Sequence, residues 1–242
     1  MRAPFAHLPA LGCALLLSAA APISRAGSCV DLALVLAVDG SGSISDGEFA
    51  FQQGAISAAL RAPDVRRAMQ DAGIVAIGAV FWGDGEFPVQ VLGWDVVVRG
   101  HGAEALASRI ENAPRLVFGN TDIGNGIWSA LDMMDAPNMC AVRRVVNVSG
   151  DGIETITRKR RRVASLPAAR DRAMTMGVTV NALTVSSDVP DLASYYAGSV
   201  IAGRGAFVMD VRSNDDFAAA IKRKLIREVS PQSVASLHDG AR

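Results

Sequence analysis

Val30–Ser45, VDLALVLAVDGSGSIS, decides how this chain is read. The apolar run from Leu32 to Val38 has no polar alternation, so it reads as a strand buried on both faces, as in a parallel sheet. It stops abruptly at Asp39-Gly40-Ser41-Gly42-Ser43, which places one carboxylate and two hydroxyls at the strand's carboxyl end. In an open α/β sheet, ligands bind there. The D-x-S-x-S spacing lets three side chains of one turn converge, and the intervening glycines let the backbone bend between them. Hard oxygen donors without His or Cys suit Mg²⁺, or Mn²⁺ or Ca²⁺, rather than zinc.

Outward from this stretch the chain alternates helix and strand. Asp46–Leu60 is amphipathic, with Ser45 or Asp46 as N-cap and Glu48 in the first turn. Arg61–Asp71 continues as helix, interrupted at Pro63. Gly73–Phe81 is a second apolar strand and Val89–Trp94 a third. The Gly83-Asp84-Gly85 link between them is too short for a parallel crossover, which makes this pair an antiparallel hairpin at one edge. Helices are expected over His101–Asn112, Asp122–Met134, Ala168–Met176, Asp188–Ala202 and Asn214–Glu228, and strands over Val142–Val148, Val178–Val185 and Ala206–Val211. The pattern predicts one α/β domain with a mostly parallel six-stranded sheet covered by helices.

Residues 1–26 read as a secretory signal: Arg2 at the start, a mostly apolar Leu8–Ile23, and a small-x-small Ser24-Arg25-Ala26. The domain is then expected over 27–230 and a polar tail over 231–242. Of the 24 basic and 24 acidic residues, cleavage removes two arginines and no acids. The near-neutral remainder exerts no global pull towards nucleic acid or membrane. Two cysteines survive cleavage. Cys29 lies ten residues before Asp39 and Cys140 eleven before Asp151, each just ahead of an apolar strand. If those strands are parallel neighbours, the cysteines meet at the end opposite the carboxylates. A periplasmic or secreted location then favours a disulfide over two separate buried thiols.

Two further loops carry oxygen donors: Gly119-Asn120-Thr121-Asp122-Ile123-Gly124, running into a helix, and Ser149-Gly150-Asp151-Gly152, ending a strand. Thr121 also reads as a helix N-cap, and Asp122 as a helix-start residue. D-G-S-G-S, G-N-T-D-I-G and S-G-D-G, in this order and on these elements, resemble the von Willebrand factor A (VWA) domain. The similarity covers about Val30 to Val229. It is greatest to an exported bacterial VWA-like group of unknown function with cysteines at the two places noted and a Tyr-Tyr pair like Tyr195-Tyr196. The resemblance implies a doubly wound, Rossmann-like sheet in the order 3-2-1-4-5-6 with one antiparallel edge strand. It also implies a metal-ion-dependent adhesion site (MIDAS) formed by Asp39, Ser41, Ser43, Thr121 and Asp151. Many A domains carry a T-D-G-like third motif where this chain has Ser149-Gly150-Asp151-Gly152.

On this reading the chain is a non-enzymatic protein-binding module whose Mg²⁺ accepts an Asp or Glu carboxylate from a protein partner. The basic run Arg158-Lys159-Arg160-Arg161-Arg162 reads either as a solvated loop or as a positive patch that contacts an acidic partner. A Mg²⁺-dependent phosphatase is the rival, since Asp at a strand end can serve phosphoryl transfer. Against it, the sequence has no second Asp two residues after Asp39 and no Gly-x-Ser-x-Gly elbow. A scaffold that binds no metal is the third reading. Trp82, Trp94 and Trp128 read as packing residues. His101 has no neighbouring His or Cys cluster to hold zinc.

Overall fold

The computed structural model describes residues 29–156 and 164–231. The expected leader, the basic run Arg158–Arg162 and all but the first residue of the tail lie outside the described residues.

The strands are β1 (Val30–Asp39), β2 (Ile74–Trp82), β3 (Gln90–Val98), β4 (Ala141–Gly150), β5 (Thr179–Val185) and β6 (Val208–Val211). They form one sheet in the order β3-β2-β1-β4-β5-β6. β3 is antiparallel to β2 and every other neighbour is parallel. The fold is therefore the doubly wound α/β sheet with one antiparallel edge that the sequence predicts. β1 is central, and the pleat sends alternate residues to opposite faces. Leu32, Leu34, Leu36 and Val38 enter a core closed by α1 (Asp46–Arg61), α2 (Pro63–Ala72), α3 (Ala103–Glu111) and α7 (Asn214–Val229). Val35 and Ala37 enter the other core, under α4 (Ile123–Met134), α5 (Leu166–Thr175) and α6 (Leu192–Ser199). Among the described residues no helix is long and apolar enough to cross a membrane.

Local chemistry sets the boundaries. Ser45 and Glu48 form a reciprocal capping box at α1. Pro63 does not merely interrupt a helix: it starts α2 at a position where its missing N–H is not needed. α6 is shorter than the predicted Asp188–Ala202. Asp191 sits in left-handed backbone at φ 58° and delays the start. At the other end Ala202 leaves the helix to bridge Val180 of β5. β3 runs past the predicted Trp94 to Val98 because pairing with β2 continues down to Ile74 beyond a bulge near Gly78.

Cys29 and Cys140 are disulfide-bonded, with Cα atoms 4.6 Å apart. They sit just below the first rung of the β1–β4 ladder, Val30 opposite Ala141. Asp39 and Asp151 lie beyond the far end of the same ladder, as their spacing from the cysteines requires.

Candidate metal centre

Three loops meet above β1 and β4. In the first, the Ser41 N–H donates to Asp39 Oδ1 at 2.8 Å, folding the chain back over its own strand end. The Gly42 N–H donates to the Gly119 carbonyl at 2.7 Å, tying the first loop to the second. The second and third loops are joined by a reciprocal pair: the Thr121 N–H donates to Thr155 Oγ1 at 2.9 Å, and the Thr155 N–H to the Thr121 carbonyl at 2.9 Å.

These ties bring the five candidate residues together. The Thr121 hydroxyl donates to Ser41 Oγ at 3.2 Å, Ser41 Oγ lies 3.3 Å from Ser43 Oγ, and the Ser43 hydroxyl donates to Asp151 Oδ1 at 2.8 Å. Asp39, Ser41 and Thr121 are buried, while Ser43 is exposed and Asp151 half-buried. The helix cap is Asp122, whose carboxylate accepts the Asn125 N–H at 3.0 Å. Thr121 is thus free of the capping role that its sequence position also allowed.

The electrostatics are unbalanced. Asp39 is fully buried, yet its Oδ2 has no hydrogen-bond partner. Burial, and after it the charge of Asp151, lifts its carboxyl from 3.8 to about 8. Burial also raises Asp151, with Glu48 and Asp188 adding negative charge. A buried carboxylate oxygen without a partner is costly, and a hard divalent cation among two carboxylates and three hydroxyls removes that cost. The donor set therefore fits such an ion. Among the described residues no group of three or more His, Cys, Asp or Glu side chains is placed to hold a metal; at this centre three of the five oxygen donors are hydroxyls.

Several residues that shape the site carry no motif. Arg115 staples the first loop: its Nη2 donates to the carbonyls of Gly40, Ser41 and Ile44 at 3.1, 2.9 and 2.8 Å. Its Nη1 pairs with Asp46 at 2.7 Å, and its guanidinium lies over the rings of Phe49 and Phe118. Asp84 holds the second loop, accepting the Asn120 side-chain amide at 2.8 Å. Tyr196, marked in the sequence only as half of the Tyr-Tyr pair, is buried and donates its hydroxyl to the Gly152 carbonyl at 3.1 Å. A Cβ at Gly150 would collide with that hydroxyl and lie 3.1 Å from Asp39 Oδ2, which explains glycine between Ser149 and Asp151. The Tyr-Tyr pair was the one sequence signal here; nothing local marks Arg115. Trp82 is buried and Trp94 and Trp128 half-buried, as packing residues are.

Sheet order, edge hairpin and the position of the D-x-S-x-S loop define a VWA-like domain. The chain belongs to the family described as "Protein of unknown function (DUF1194)", whose model matches residues 28–233. The vWF domain of the type V pili tip protein Mfa5 from Porphyromonas gingivalis aligns at 14% identity and TM-score 0.53, over 86% of this chain and 99% of that one. The pilus adhesin SpaC from Lactobacillus rhamnosus GG aligns at 14% identity and TM-score 0.56, over 83% of this chain and 31% of that one. Proximal thread matrix protein 1 from the mussel byssus, with a zinc-occupied MIDAS motif, aligns at 14% identity and TM-score 0.58, over 83% and 46%. The chain thus spans less than half the length of SpaC and of the mussel protein. At such identities the likeness is one of fold. No curated protein matches the chain.

Proposed function

We propose that this chain is an exported, non-enzymatic module that binds a protein partner through a divalent cation held by Asp39, Ser41, Ser43, Thr121 and Asp151. The observation that carries the reading is the buried, unpartnered Oδ2 of Asp39. A bound Mg²⁺ would supply an electrophilic centre that accepts an Asp or Glu carboxylate from the partner. The chain's own residues do the rest. Asp39 provides a buried negative charge, the hydroxyls of Ser41, Ser43 and Thr121 provide neutral oxygens, and Asp151 provides a second carboxylate at the solvent side. Arg115 and Asp84 hold the loops in place before any partner arrives. Two carboxylates would balance the ion's formal charge, and five protein oxygens would leave a sixth coordination position for a carboxylate from outside.

Adhesins and pilus proteins among the fold neighbours and the disulfide support an exported binding role. The basic run Arg158–Arg162, close behind Asp151 in the chain, adds positive charge that favours an acidic partner.

The test is thermal denaturation of the purified protein titrated with Mg²⁺, Mn²⁺ and Zn²⁺, beside Asp39→Asn. The midpoint of the wild type should climb with free metal and that of the variant should not. A flat response in the wild type up to millimolar metal removes the metal from the reading. A panel of phosphate esters assayed with Mg²⁺ decides against the rival: turnover that Asp39→Asn abolishes would make the protein a hydrolase.

A further inference from the structure

At the other end of the sheet the chain builds a site of opposite charge. β3 ends at Val98, which pairs with Ile74 at the start of β2, whereas Asp39 pairs with Trp82 at its end. The length of β2 therefore separates the two regions by roughly 25 Å. Beyond Val98 the chain reverses in a tight turn closed by two hydrogen bonds, Val98 N–H to the His101 carbonyl at 2.9 Å and His101 N–H to the Val98 carbonyl at 3.1 Å. Its central residues, Arg99 and Gly100, have φ 53° and 75°. Two positive φ values are the type I′ pattern, whose first position favours Asn, Asp or Gly. Arginine there is unfavourable backbone chemistry, and strained residues cluster where function needs them.

The turn faces α2 across a cleft of about 270 Å³ lined by Arg66, Arg67, Gln70, Arg99 and His101. Arg66 is oriented by the turn itself: its Nη2 donates to His101 Nδ1 at 3.2 Å and its Nε reaches the Gly100 carbonyl at 3.4 Å. Among the described residues no carboxylate pairs with Arg66, Arg67 or Arg99, whereas Arg61, Arg109, Arg115 and Arg172 each have an acidic partner. The acids nearby are otherwise engaged. Asp64 is taken by Lys222 at 3.1 Å. Glu104, which senses the charge of Arg66, is exposed and accepts the Gly102 N–H at 3.4 Å.

We infer that this cleft is an anion site that takes a phosphate group, through the guanidinium groups of Arg66, Arg67 and Arg99. Planar, permanently charged guanidinium groups match phosphate oxygens in pairs. Three positive charges around one small cleft favour a dianion over a single carboxylate. The volume admits a phosphate or headgroup and falls below the usual range for larger ligands. The site is independent of the metal centre, and near-neutral net charge does not oppose it, because the charge is local.

The source of the phosphate is either a free small anion or a phospholipid headgroup, and two arms separate them. One is calorimetry of the purified chain with inorganic phosphate and pyrophosphate in chloride buffer. The other is co-sedimentation with vesicles of phosphatidylcholine alone or mixed with phosphatidylglycerol. Arg99→Asn is the informative variant, since Asn suits the turn: the melting midpoint should hold or rise while affinity falls about tenfold. Arg67→Gln should weaken binding similarly, and Arg204→Gln, an exposed charge elsewhere, should leave it unchanged. Binding of the small anions in this pattern supports the site with a free ligand, and binding only to the anionic vesicles supports it with a lipid source. No binding in either arm, or equal losses in all three variants, overturns it.

Discussion

Two carboxylates are buried beside the central strands, and the chain treats them in opposite ways. Glu228 of α7 is almost fully covered, and the protein supplies everything it needs. Lys224 Nζ donates to its Oε1 at 2.6 Å, Asn181 Nδ2 to the same oxygen at 3.0 Å, and Asn147 Nδ2 to Oε2 at 2.6 Å. Asp39 is covered as completely but receives the Ser41 N–H on one oxygen and nothing on the other. Burial puts a desolvation cost on the charged form of both. One recovers it within the fold, so it acts as structure. The other leaves it unanswered, and on the function proposed above a cation from outside would answer it, which would make this acid a receptor. Burial alone does not separate a structural acid from a functional one; the completeness of its partners does.

The contrast can be broken most forcefully at the structural acid. Lys224→Met should strand Glu228 and cost about 3–5 kcal/mol in urea denaturation. Adding Glu228→Gln to that variant should restore part of the loss, because the neutral amide removes the stranded charge and its oxygen still accepts from an asparagine, which a purely steric effect of Met would not allow. At the receptor acid the sign reverses: saturating divalent metal should add about 2.7 kcal/mol when free metal is a hundredfold above Kd. Glu228→Gln, if it folds, should retain that gain, whereas Asp39→Asn should lose it.

A pH series on chelated protein sharpens the difference. The folded-state pKa of Asp39, about 8, lies above its ordinary 3.8. Between these values the folded state holds the proton more tightly than the unfolded chain. This contribution to stability is full below about pH 4 and is lost as pH rises towards 8. We expect about 1–2 kcal/mol across the window, below the ideal linkage value because loop relaxation hydrates the carboxylate. Asp39→Asn should flatten that slope. The smallest effect is expected at Arg115→Lys, which keeps the charge but loses the fork over three carbonyls. It should cost about 1 kcal/mol of stability and weaken metal binding measurably by calorimetry.

What the sequence disclosed follows the same division. β1, its D-x-S-x-S turn and the other two loops were legible because strand burial, glycine and oxygen donors are local patterns. The cysteine pairing was legible because two spacings agreed. Arg115 was not: it reaches back to residues 40–46 through the folded chain, and nothing around Pro114 signals that reach. Lys224 and Glu228 were hidden differently. They fall on the stripe of α7 that Ile221 and Leu225 also occupy, where charges are read as facing water. Only the placement of Asn147 and Asn181 on neighbouring strands makes them core residues. α6 was overextended because left-handed backbone at an aspartate has no reliable sequence mark.

The disulfide acts on the receptor end as a datum mark does on a scale. Cys29 and Cys140 are 111 residues apart, and so are Val30 from Ala141 and Val38 from Ser149. The covalent offset and the ladder offset are the same number, so the bridge permits only one alignment of the two strands. A slip by a single residue would turn Asp39 to the opposite face of the sheet and part it from Asp151. Calibration of the two carboxylates is thus set at the far end of the strands, and reduction of the bridge leaves it to the ladder hydrogen bonds and core packing.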